Sequence, residues 1–92
     1  MYKVELAKSA ARDLERIYRA DKKIYRRIIA AFEALAGDPF LGKALTGQLR
    51  GYYSYRIGVY RVIYIIQHAR LLVSVIDIGH RKDVYSKGGK FS

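Results

Sequence analysis

The stretch Arg-Gly-Tyr-Tyr-Ser-Tyr-Arg-Ile-Gly-Val-Tyr-Arg-Val-Ile-Tyr-Ile-Ile, from Arg50 to Ile66, leaves the chain little choice of local structure. Two runs of aromatic and β-branched residues flank Gly58-Val59, the pattern of a β-hairpin. Glycine in the first of two turn positions supplies the positive φ that a type II′ turn demands. That turn fixes the register. Ile57 pairs with Tyr60, Arg56 with Arg61, Tyr55 with Val62, Ser54 with Ile63 and Tyr53 with Tyr64. Side chains alternate between faces. One face therefore gathers Tyr53, Tyr55, Ile57, Tyr60, Val62 and Tyr64 as a core surface. The other gathers Ser54, Arg56, Arg61 and Ile63. Directly opposed like charges weaken a sheet, so two arginines placed this way are either splayed into water or arranged around an anion.

The rest of the chain supplies what this hairpin packs against. Tyr2–Leu6 alternates apolar and charged residues, as a half-buried strand does. Ser9 is positioned to cap a helix in which Ala10, Leu14, Ile17 and Tyr18 form the apolar side. Asp21 is positioned to cap a second helix with Ile24, Ile28, Phe32 and Leu35 as its stripe and Lys22, Lys23, Arg26 and Arg27 as a basic outer face. Gly37 followed by Asp38-Pro39 ends it. Residues 38–49 show no period and read as a loop whose Phe40, Leu41 and Leu45 plug the core edge. After the hairpin, Gln67–Arg70 turns the chain. Leu71–Ile78 is a nearly continuous apolar strand, expected near the middle of a sheet. If Ile66 pairs with Leu71, Arg61 faces Ile76. The segment Gly79–Tyr85 then leaves the sheet, as a helical turn, within reach of the arginines. The order β-α-α-β-β-β predicts an α+β domain over residues 1–85, an antiparallel-rich twisted sheet with a helical hairpin on one face. The Arg56/Arg61 face is left open. Residues 86–92, with Gly88-Gly89, read as a flexible basic tail.

Ninety-two residues make one domain. No apolar run approaches the roughly 20 residues that span a bilayer, and Met1 leads straight into a strand rather than a signal-peptide pattern. There are no cysteines and two histidines, which excludes disulfides and leaves little for a zinc site. The formal charge of +10 points to a polyanionic partner. Residues 50–92 carry eight Lys/Arg but only two acids, Asp77 and Asp83, so the arginines there lack internal neutralisation. Arg56, Arg61 and Arg81, with His80, Lys82 and Tyr85, form a set suited to phosphate chemistry. Attack of an RNA 2′-OH on its own phosphate needs a base, cations for the developing charge and an acid for the leaving oxygen. Arginine grips phosphate in two-pronged fashion and stays charged. Surrounding cations favour a phenolate. Tyr52 is a further candidate for stacking on a base.

The chain resembles the RelE/ParE toxin superfamily of prokaryotic toxin–antitoxin modules. The resemblance covers residues 2–85. It rests on Tyr-Lys-Val-Glu-Leu with Lys8-Ser9-Ala10-Ala11-Arg12-Asp13-Leu14, on Leu49-Arg50-Gly51-Tyr52-Tyr53, on Arg56–Tyr64, and on Gly79-His80-Arg81-Lys82-Asp83-Val84-Tyr85. The last motif is closer to the RelE branch. What it implies is a ribosome-dependent endoribonuclease that cuts messenger RNA in the ribosomal A site, with a microbial-ribonuclease-like sheet and no metal or other cofactor. Carried over residue by residue, the resemblance makes Arg61, Arg81, Tyr85 and Arg56 catalytic; Ser54, His80, Lys82 and Tyr52 stand beside them as candidate RNA contacts. The family's two lysines on the second strand fall at Ser54 and Arg56. Arg56 keeps the charge and Ser54 does not, which leaves His80, Lys82 or Tyr85 as general base. The implied partners are the ribosome with its mRNA and a cognate antitoxin with an acidic or amphipathic segment, in a toxin–antitoxin hetero-oligomer in a prokaryotic cytoplasm, with no membrane. Two other readings stay open: a ParE-like poison of DNA gyrase, and a non-catalytic relative that binds only RNA or an antitoxin.

Overall fold

A computed structural model describes residues 1–80. Strand β1 (Lys3–Leu6) leads into helices α1 (Lys8–Ala20) and α2 (Lys22–Gly37). Strands β2 (Lys43–Ala44), β3 (Tyr53–Ile57), β4 (Tyr60–Gln67) and β5 (Leu72–His80) follow. The sheet order is β1-β5-β4-β3-β2, with β1 parallel to β5 and the other pairings antiparallel. Both helices pack on one face. Ala10 and Ile17 of α1 and Ile28, Ala31, Phe32 and Leu35 of α2 meet Ile57, Val62, Tyr64, Val73, Val75 and Ile78 of the sheet in one core cluster. The α+β class and the helical hairpin are as the sequence predicts.

The link between the helices is one residue, Asp21. Its carboxylate accepts from the amides of Lys23 (3.1 Å) and Ile24 (3.2 Å), satisfying two donors that a helix start leaves open. Asp21→Ala is expected to lower unfolding free energy by about 1 kcal/mol, read as a shift in the urea midpoint at unchanged slope. Other local expectations change. Ala7, not Ser9, is the N-cap of α1, and the Ser9 hydroxyl instead points to the Ile76 carbonyl at 3.5 Å. Gly37 is the last residue of α2, and the cap is Asp38 in an extended conformation. Tyr18 is exposed, its ring edge-on to Tyr25 with the Lys22 ammonium 5.3 Å from its centre.

Residues 38–49 are more ordered than an aperiodic loop. They hold short 3-10 turns at Pro39–Leu41 and Gly47–Leu49 with β2 between, which adds a fifth strand beside β3. Pro39 is the buried plug, whereas Phe40 is 56% exposed and stacks on His68.

The β3–β4 register matches the predicted one at all five pairs, and Gly58 has φ +59. The β4–β5 register does not match. Leu71 adopts a left-handed conformation (φ 50) at the end of a 3-10 turn over His68–Arg70, so it belongs to the connection. Gln67 then pairs with Leu72 and Ile66 with Val73. Further along, Tyr64 pairs with Val75 but Ile63 with Asp77, so Ile76 is the extra residue of a β-bulge. Arg61 consequently faces Gly79, not Ile76. Gly79 and His80 continue the strand instead of opening a helical turn.

Candidate functional site

Two rows of residues cross the sheet face opposite the helices. Ser54, Ile63 and Asp77 form one row, and Arg56, Arg61 and Gly79 the next. A pair flanking a two-residue turn exchanges hydrogen bonds. The next pair, Arg56 and Arg61, is then the closely spaced kind, with Cα atoms about 4.5 Å apart. The two guanidiniums relieve this by splaying. Arg61, half-buried, donates from Nη1 to the Ser54 hydroxyl at 3.0 Å. Arg56, exposed, donates from Nε to the Gly58 carbonyl at 3.4 Å, at the turn.

The floor of this face is closed, contrary to the open surface expected. Ser54 is 3% exposed, Asp77 7% and Ile63 1%. Ser54 is therefore a support beneath Arg61 and not a surface contact. Beside it runs β2, where Lys43 pairs with Ser54. Tyr64 holds that segment down. Its fully buried hydroxyl donates to the Pro39 carbonyl (2.7 Å) and accepts from the Gly42 amide (3.1 Å). Burial pushes the Tyr64 phenol up to about 12 from its ordinary 10.0.

His80 does not join the arginines. The bulge at Ile76 places Ile78 in the core and His80 on the helix-covered face, its ring 6.3 Å from Tyr60. There His80 lines a groove of about 320 Å³ with Asp13, Arg16 and Ile78. Tyr52 is half-buried, its backbone held by Leu45 and Leu49 just ahead of β3. Arg81, Lys82 and Tyr85, and the expected tail over 86–92, lie outside the described residues. Asp77, counted above only as one of two acids in residues 50–92, is the residue that sequence reasoning missed. The same bulge turns Asp77 onto the Arg61 face, diagonal to Arg61. A carboxylate at core parity after Val73 and Val75 is the signal that could have located the bulge. Among the described residues no group of three or more His, Cys, Asp or Glu could hold a metal ion, and no helix is long and apolar enough to cross a membrane.

A guanidinium anchored by a buried hydroxyl, beside a second one at a hairpin turn, suits recognition of a phosphate on RNA or of a carboxylate on protein. Comparison with known proteins narrows the choice. Residues 4–85 match the family model described as the ParE toxin of the type II toxin–antitoxin system parDE. The chain is similar to Toxin RelG of Mycobacterium tuberculosis, at 34% identity over 94% of this chain and 98% of that one. Among solved structures, it is similar to the toxin–antitoxin complex RelBE2 of M. tuberculosis, with a TM-score of 0.77 and 32% identity over 87% of this chain and 98% of that one. It is also similar to a YoeB/ParE toxin from Agrobacterium tumefaciens, with a TM-score of 0.77 and 25% identity over 85% and 96% of the two chains. Matched over nearly its whole length by sequence and by fold, the chain belongs to the RelE/ParE superfamily, the toxins of type II toxin–antitoxin modules.

Proposed function

We propose that this toxin is a RelE-like endoribonuclease that cleaves messenger RNA on the ribosome by attack of the RNA's own 2′-OH. The observation that supports this most is the Arg61–Ser54 hydrogen bond. It fixes one prong of a permanently charged fork. Arg61 stabilises the charge that develops on the phosphorane, with Arg56 at its side. Arg81 adds a third cation, and Tyr85 exchanges the proton with the leaving 5′-oxygen or the attacking hydroxyl. Lys82 and Tyr52 contact the RNA. His80 faces α1 and so is not proposed as the base, which leaves Lys82 or Tyr85. Side chains carry all the charge and proton steps, with no metal. A cognate antitoxin silences the site; the similar RelBE2 structure is itself a toxin–antitoxin complex. Its recognition segment carries acidic residues against the +10 chain.

The test is induced expression followed by primer extension on a translated message. New 5′ ends are expected with the wild-type chain. They should be lost with Arg81→Ala and slowed about 10²-fold with Tyr85→Phe. Full cleavage by both variants would overturn the assignment. Because the family model is that of ParE, gyrase poisoning is the second reading. DNA breaks and an SOS response with intact messages would establish it instead.

A further inference from the structure

The basic outer face of α2 has no part in the chemistry above. Lys22, Lys23, Arg26 and Arg27 are all exposed. The ion pairs found among the described residues, Arg16 with Asp13 and Arg19 with Glu15, both lie within α1 and neutralise that helix only. Lys22 sits over the Tyr18 ring. Lys23, Arg26 and Arg27, on one side of α2, have no ion pair among the described residues.

Two observations tie this face to the sheet. A methyl group built on Gly58 would lie 3.5 Å from an Arg27 guanidinium nitrogen, so Arg27 reaches the β3–β4 turn. The same turn offers the Gly58 carbonyl to Arg56. Arg27 and Arg56 also line one open groove of about 320 Å³ between α2 and β3. Its walls include Ala30, Ala31 and Ala34, whose small side chains keep it wide, and the half-buried Tyr55.

We infer that α2 and the hairpin turn form a phosphate track for single-stranded RNA, running from Arg61 and Arg56 through the Arg27 groove to Arg26 and Lys23. The cations then follow one another away from Arg61, as the phosphates of a strand follow the scissile one. Tyr55 gives the groove a ring on which a base can stack. An acidic peptide would also meet these charges. RNA is favoured because the groove shares Arg56 with the proposed cleavage site, so a bound strand passes from one to the other. The direction of the track rests on the cleavage reading, but binding itself does not.

The experiment uses the purified full chain and a fluorescent single-stranded RNA, 2′-O-methylated throughout so that it cannot be cut. Anisotropy is followed across a salt series. Arg27→Gln is expected to weaken binding roughly threefold to tenfold and to lower the log–log salt slope by about 0.7, the loss of one phosphate contact. Arg27→Lys should keep the slope. Arg12→Gln removes the same charge from an exposed site on α1 that lines neither groove, and it should change neither quantity comparably. The track is overturned if Arg27→Gln behaves like Arg12→Gln, or if the wild-type chain does not bind the RNA. It is equally overturned if Arg27→Gln spares RNA binding and weakens only capture of the cognate antitoxin. An Arg27-dependent slope in a chain that leaves translated messages whole would sink the cleavage reading and leave the track standing.

Discussion

Arg61→Ala is expected to lift growth arrest and to cut cleavage of a translated message by about 10²–10³-fold, the usual cost of removing one fixed donor to developing charge. The expectation comes from how Arg61 is held. Its partner Ser54 is buried, and both lie on rigid paired strands. A guanidinium so anchored pays little to reorganise when charge develops. Arg61→Lys should rescue poorly, because an ammonium is a point charge with no fork to divide between Ser54 and a phosphate. Ser54→Ala should be intermediate, losing roughly tenfold while the charge remains. Primer extension on expressed variants, with circular dichroism to confirm folding, gives the measurement. Wild-type yields of cleaved message from Arg61→Ala would remove this residue from the mechanism.

Gly42→Val is expected to destabilise the fold by about 3 kcal/mol or more. The backbone of Gly42 is ordinary (φ −76), so the problem is space. A Cβ there would collide with the Tyr64 hydroxyl and stand 2.9 Å from the Ser54 carbonyl. The ring is fully buried and the carbonyl belongs to a paired strand, so neither yields cheaply. Tyr64→Phe, on its own, strands the Pro39 carbonyl and the Gly42 amide, at about 1–3 kcal/mol. It should nevertheless relieve part of the Gly42→Val penalty, giving a double mutant better than additive.

The same phenol gives a pH signature. Its folded pKa is raised, so the contribution is complete below pH 10 and disappears as pH climbs toward 12. Two units correspond to about 3 kcal/mol. Urea melts between pH 8 and 11.5 should therefore show a steeper alkaline loss for the wild-type chain than for Tyr64→Phe. Equal slopes would mean the hydroxyl is not confined as described. Because the Ser54 backbone lies against Gly42, loosening this corner should also slacken Arg61, joining a packing defect to loss of toxicity.

The hairpin was legible because its turn chemistry and its alternation agree. Gly58 fixes where the chain reverses, and every pair from Ile57–Tyr60 to Tyr53–Tyr64 follows. The helices were legible for the same kind of reason: Ile28, Phe32 and Leu35 repeat at helical spacing and are buried together. What stayed hidden had no local mark. Leu71 takes a conformation usual for glycine, so nothing in its identity announces the longer connection before β5. The bulge at Ile76 looks like one more apolar residue in an apolar strand, yet it sends Asp77 to Arg61 and His80 to α1. The order in residues 38–49 comes from distant partners, Tyr64 and β3, which a window of neighbours does not contain. The arginine pair was readable, but its splaying depends on the partners the two guanidiniums find, the Ser54 hydroxyl and the Gly58 carbonyl.

The parallel pairing of β1 with β5 has a consequence for timing. Lys3 meets Leu72, so β1 waits for β5, which is made after both helices and the other three described strands. Until β5 emerges, β1 has no neighbour in the sheet and β4 lacks one edge. Long-range pairing of this kind is slow to nucleate. The sheet that carries Arg61 is thus complete only once β5 has been made and has closed the gap between β1 and β4.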